Sequence, residues 1–173
     1  MDTHSQFTTF VAALACAGLA TGQTPVPAQT EKPGLNMTIS LKQKTVKPGA
    51  EVIVSIDVVN ISDKTLMVRR NRPPSPYTVQ IVDGAGKEFA LTDLGRVLVG
   101  GGMTTDAKGN RRMVLGDFRE GGLAAGKTLH EEVEVSRIYD LSQPGEYTIR
   151  FQRTDPATRL TISSNTVTLI ISN

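Results

Sequence analysis

Any general-base chemistry in this chain has one candidate imidazole. Of the two histidines, His4 sits beside an apolar N-terminal stretch, which leaves His130 alone in the rest of the sequence. A serine or threonine nucleophile needs a base at hand, and no Gly-x-Ser-x-Gly elbow accompanies His130. His130, Glu132 and Glu134 alternate, so a strand would set all three on one face at steps of about 6–7 Å. Imidazole and carboxylates suit a metal ion. At that spacing, however, a tetrahedral site closes only if the strand bends, and a solvated polar stripe accounts for the pattern equally.

Gly84-Ala85-Gly86-Lys87 has the glycines and lysine of a phosphate loop but lacks the serine or threonine and the helix that must follow; it reads as a hairpin turn. Asp83, Asp93, Asp106, Asp117 and Asp155 lie in turn-like segments without the spacing of a calcium loop. The lone cysteine, Cys16, falls within the N-terminal apolar stretch, so the remainder has neither thiol chemistry nor a disulfide. No catalytic residue, metal or cofactor is expected.

The residues left for recognition are basic. Arg69, Arg70 and Arg72 precede Pro73-Pro74-Ser75-Pro76, and Arg111-Arg112 lie in a glycine-rich segment that also holds Phe118. These six are the candidate binding residues, suited to an anionic partner or glycan; solvated loop charge is the plainer reading of the arginines. Nucleic acid is not an expected partner. The formal net charge is only +2, acids dilute the bases throughout, and there is no tryptophan for base stacking. Asn36-Met37-Thr38 and Asn60-Ile61-Ser62 match the glycosylation sequon, at positions that strand and turn also explain.

The elements that would position these groups begin after a leader. Phe7–Leu19 is apolar, too short to span a bilayer, and followed by small Ala20 and Gly22, which predicts a signal peptide over 1–22 and export to the periplasm or beyond. Its first residues carry no lysine or arginine, an atypical feature, and Cys16 offers acylation as the alternative to cleavage. Residues 23–34, with three prolines, read as a linker.

Residues 35–173 read as short alternating strands without a long helical period. Strands are expected over 36–41, 51–60, 66–70, 77–81, 87–91, 127–135, 147–153 and 166–171. Val97–Val99 and Met113–Leu115 are expected to form an extra hairpin inside a long insertion, Thr92–Gly126. Such spacing describes an all-β antiparallel sandwich of two sheets and seven or eight strands, immunoglobulin-like. Tyr147 stands two residues before inward-facing Ile149 and follows Pro144-Gly145, the place of a tyrosine corner.

Three blocks, VKPGAEVIVSIDVVNISDKTL, LAAGKTL and YDLSQPGEYTIRF, resemble the recurrent pattern of bacterial exported immunoglobulin-like domains. They are loosely similar also to the intracellular proteinase inhibitor family of bacilli. The resemblance implies a fold and carries over no functional residue. The expected function is a non-catalytic binding module that presents its insertion to a protein or glycan of the cell envelope. A secreted proteinase-inhibitor-like domain is the alternative, and a metal-dependent enzyme around His130 comes last.

Overall fold

In Ile53–Asn60, Val54, Ile56 and Val58 are fully buried while Ile53, Ser55, Asp57 and Val59 are half-buried. This two-residue period is what a strand with one face on a core imposes. The computed structural model describes residues 32–70, 75–99, 103–105, 107–113 and 120–173. The expected leader and most of the linker (1–31), together with Arg72 and Phe118, lie outside the described residues.

The chain runs through β1 (Leu35–Leu41), β2 (Thr45–Val46), β3 (Ile53–Asn60), β4 (Leu66–Arg69) and β5 (Thr78–Asp83). A short helix α1 (Asp93–Val99) follows, then β6 (Met103–Thr105), β7 (Arg111–Met113) and β8 (Glu120–Leu123). The last strands are β9 (Thr128–Glu134), β10 (Gly145–Thr154), β11 (Thr161–Ser163) and β12 (Val167–Ile171). Among the described residues, one three-stranded sheet has the order β1-β3-β9. A five-stranded sheet is centred on β10. β5 pairs along one edge of β10, β12 and β11 follow one another along the other, and β2 joins β12 in parallel. Met37, Ile56, Val58 and Leu129 of the first sheet and Ile81, Ile149, Phe151 and Leu169 of the second belong to one buried cluster. Two sheets closed over one core, with β1 in one and β2 in the other, make an immunoglobulin-like sandwich. With no disulfide among these residues, cohesion rests on this core, where a fully buried aliphatic or phenylalanine side chain contributes about 1.5–3 kcal/mol.

Three expectations need correction. Residues 87–91 do not form a strand; only the isolated bridges Val82↔Glu88 and Leu91↔Tyr139 form, because the chain leaves β5 to meet Tyr139. Val97–Val99 are helical. The Thr92 hydroxyl accepts from Gly95 N at 2.9 Å, the backbone adds Arg96 N to Thr92 O at 2.9 Å, and Arg96 pairs with Asp93 one turn away. The hairpin in the insertion does form, but β6 supplies its first arm. The helix lies so close to the sandwich that a Cβ on Gly95 would meet the Ile138 carbonyl oxygen at 2.0 Å. β2 and β11, two and three residues long, were too short to register as alternation.

Candidate functional site

The start of β10 is shaped by a tyrosine folding back on its own chain. The Tyr147 hydroxyl donates to the Gln143 carbonyl at 2.6 Å, four residues upstream. The ring passes over Gly145, where a Cβ would stand 2.8 Å from the hydroxyl oxygen. With Ile149 fully buried two residues on, this is the geometry of a tyrosine corner. Opposite Tyr147 in register is Asp83, at the end of β5. One Asp83 carboxylate oxygen accepts from both Ala85 N and Lys87 N at 2.9 Å, which turns the chain at Gly84-Ala85. The return brings Phe89 edge-on to Tyr147, ring centroids 4.5 Å apart.

Between this turn and the corner lies a cleft of about 730 Å³. Phe89 and Tyr147 line it together with Ala85, Ala90 and Pro144, and so do the carboxylates of Asp83, Glu88, Asp140 and Glu146 and the ammonium of Lys87. Asp83 is engaged in its turn, and Asp140 accepts from Ser142 N at 3.2 Å. Glu88 and Glu146 are exposed, and their carboxylates form no hydrogen bond or ion pair among the described residues. The local field is negative. Burial pushes the Tyr147 hydroxyl above its ordinary pKa and the Asp83 carboxylate adds to the rise; burial and then Glu88 do the same for Tyr139. Chemically, the cleft offers apolar contact at an aromatic pair and attraction for positive charge.

The far end of β10 is built the opposite way. Arg153 is 5% exposed, on the same face as Tyr147, Ile149 and Phe151. Its guanidinium donates to the Tyr77 hydroxyl at 3.2 Å and to the Arg69 carbonyl at 3.2 Å, and lies 5.1 Å from the Tyr77 ring centroid. Tyr77 in turn donates to Glu131 of β9, so an arginine, a phenol and a carboxylate connect the two sheets. Burial and then the bond to Glu131 push the Tyr77 hydroxyl far up, against the opposing pull of Arg153. Arg153 Nε is the one buried side-chain nitrogen or oxygen without a hydrogen-bond partner among the described residues.

Two residues on, Asp155 is fully buried and accepts from Gly34 N at 2.6 Å, Leu35 N at 3.0 Å, Ala157 N at 2.8 Å and Thr158 N at 3.1 Å. Burial alone would raise its pKa, but the four amides outweigh that and hold the carboxyl below the ordinary range. The carboxylate thus fixes the beginning of β1 to the loop after β10.

The sequence candidates that are described lie on several elements. Arg69 closes β4 and Arg70 follows it, exposed. Arg111 and Arg112 lie on β7, which pairs only with β6 among the described residues. Arg72 and Phe118 are outside the described residues. His130, Glu132 and Glu134 share the outer face of β9, yet each turns to a different neighbour. His130 Nδ1 lies 2.6 Å from Asp57, Glu132 pairs with Lys42 at 2.9 Å, and Glu134 faces Arg137 at 3.9 Å. No group of three histidine, cysteine, aspartate or glutamate side chains placed to hold a metal occurs among the described residues. Asn60, in a sequon, is fully buried with its amide bonded to Lys64 O, Leu123 O and Ser62, so it organises a turn. Sequence reasoning missed Arg153, the clamp that Asp155 makes beyond its turn, and the cleft acids Glu88 and Glu146. The alternation that places Tyr147, Ile149 and Phe151 inward, carried two residues further, would have found Arg153.

No family model matches the chain, and no curated protein matches it in sequence. Among solved structures it is similar to a CARDB domain from Pyrococcus furiosus, solved in complex with di-metal ions. That likeness has 11% identity and a TM-score of 0.42, covering 82% of this chain and 90% of that one. A β-glucosidase from Erythrobacter marinus is similar at 14% identity and a TM-score of 0.38, over 80% of this chain and 16% of the enzyme. No enzyme family is indicated by sequence.

Proposed function

We propose that this chain is a non-catalytic binding module, exported to the periplasm or beyond, that recognises a protein or glycan of the cell envelope. The observation that carries the reading is the open cleft beside the tyrosine corner. It is a concave space with an accessible aromatic side chain and carboxylates that the fold does not consume. The expected insertion begins at Thr92, two residues beyond Ala90 in the cleft wall. Export is supported by the apolar run Phe7–Leu19 with the small residues that follow it.

The test uses the full chain in its host, with a photo-crosslinking amino acid at Ala85 in the cleft or at Ala124 on the β8–β9 turn. The reading predicts recovery in the envelope or secreted fraction and a discrete crosslinked partner from Ala85 but not from Ala124. Retention in the cytoplasm, or no partner from either position, would contradict it.

A further inference from the structure

The cleft can be read for the kind of partner it accepts. Four carboxylates and a single ammonium line it, and the two glutamates have no partner among the described residues. Phe89 is only half-buried and lines the cleft, edge-on to the buried Tyr147. An anionic or neutral polar ligand would meet repulsion or unmatched charge there. A long aliphatic side chain with a cationic head matches both features, its methylenes on the ring and its charge at the acids. The acids come from both walls, Asp83 and Glu88 from the turn after β5, Asp140 and Glu146 from the corner. More than one cation is therefore called for, and an extended polypeptide presents same-side residues about every 6–7 Å.

We infer that this cleft docks a basic segment of a partner polypeptide, with a lysine or arginine side chain lying over Phe89 and its head at Glu88 and Glu146. The inference rests on the binding-module reading and names its ligand class. Burial is the main cause of the raised pKa of Tyr139 and Tyr147, and the further rise from Glu88 and Asp83 accords with the negative field seen in the lining. Exposed ion pairs are individually weak, so one short segment binds with Kd on the order of 1 mM and affinity comes from several contacts.

The test is an NMR titration of the ¹⁵N-labelled full chain with the peptide acetyl-Gly-Lys-Gly-Lys-Gly-amide, alongside analogues carrying norleucine or glutamate in place of lysine. The lysine peptide should shift the amides of Glu88, Phe89, Gly145 and Glu146 saturably, and the analogues should not. Replacing both Glu88→Gln and Glu146→Gln should weaken binding about five-fold or more while leaving the remaining spectrum in place. Absence of saturable shifts, equal binding of an analogue, or affinity unchanged in the double variant would each overturn the inference. If the lysine peptide fails while Ala85 still crosslinks a partner, the binding module stands and its ligand is not basic. If both fail, the module reading falls too.

Discussion

Tyr147 and Tyr77 are both buried and both pack edge-on to a phenylalanine, one within the start of β10 and the other beside its far end, yet they close those two ends differently. Tyr147 gives its hydroxyl to a backbone carbonyl, and the nearby carboxylates are left facing a cleft. Tyr77 gives its hydroxyl to Glu131 and accepts from Arg153, so that charge is taken inside and spent on joining sheets. The difference separates charge that holds the fold from charge that is available to a partner. Ionised groups withdrawn from water must be bonded, whereas carboxylates left wet in a concave place cost the fold little and attract an opposite charge.

The comparison can be broken most severely at Asp155. Asp155→Ala leaves four amides, those of Gly34 and Leu35 buried, without their acceptor and should destabilise the domain by about 3–5 kcal/mol, read as a fall in the denaturant midpoint. The pH dependence has a definite sign. Because the folded carboxyl sits below its unfolded value, its contribution is fully present above the ordinary carboxylate range near pH 4 and is lost as pH falls through the folded pKa. Asp155→Asn should therefore flatten the acid limb of the stability profile. A limb as steep as that of the original chain would assign acid sensitivity elsewhere.

Arg153→Ala should cost about 2–4 kcal/mol through lost packing and an orphaned Arg69 carbonyl. Arg153→Met, which keeps most of the volume and removes a desolvated charge, should recover much of that loss in the same unfolding measurement. If methionine is no better than alanine, the guanidinium's bonds outweigh its desolvation. Gly95→Ala should displace α1 from Ile138 and lower stability by about 1–3 kcal/mol, with amide shifts confined to the helix and residues 137–139.

At the cleft end the effects shrink. Tyr147→Phe removes one hydrogen bond and should cost about 1 kcal/mol. A larger loss, measured by chemical denaturation, would mean that the corner holds the sheet as firmly as the arginine end does.

Much of this fold is legible in residue order because it depends on local alternation. Val54, Ile56 and Val58 announce β3, and Tyr147, Ile149 and Phe151 announce β10 along with its corner. The helix is not legible that way, since Val97-Leu98-Val99 has strand propensity and only the Thr92 cap and the close seat of Gly95 make it helical. The arginines drew notice for their type, whereas the cleft depends on juxtaposition. Glu88 and Glu146 are 58 residues apart and meet only because β5 pairs with β10 in the register Asp83↔Tyr147. Asp155 was legible as a turn residue but not as a clamp, because its partners Gly34 and Leu35 begin the domain 121 and 120 residues earlier.

The most direct test of this division between the two ends is one pair of readings on the Glu88→Gln, Glu146→Gln double variant: its melting temperature and its photo-crosslinking yield from Ala85. The account predicts a melting temperature within about 2 °C of the original chain and a crosslink that is largely lost. A crosslink retained at full yield, or a domain that melts far earlier, would contradict it.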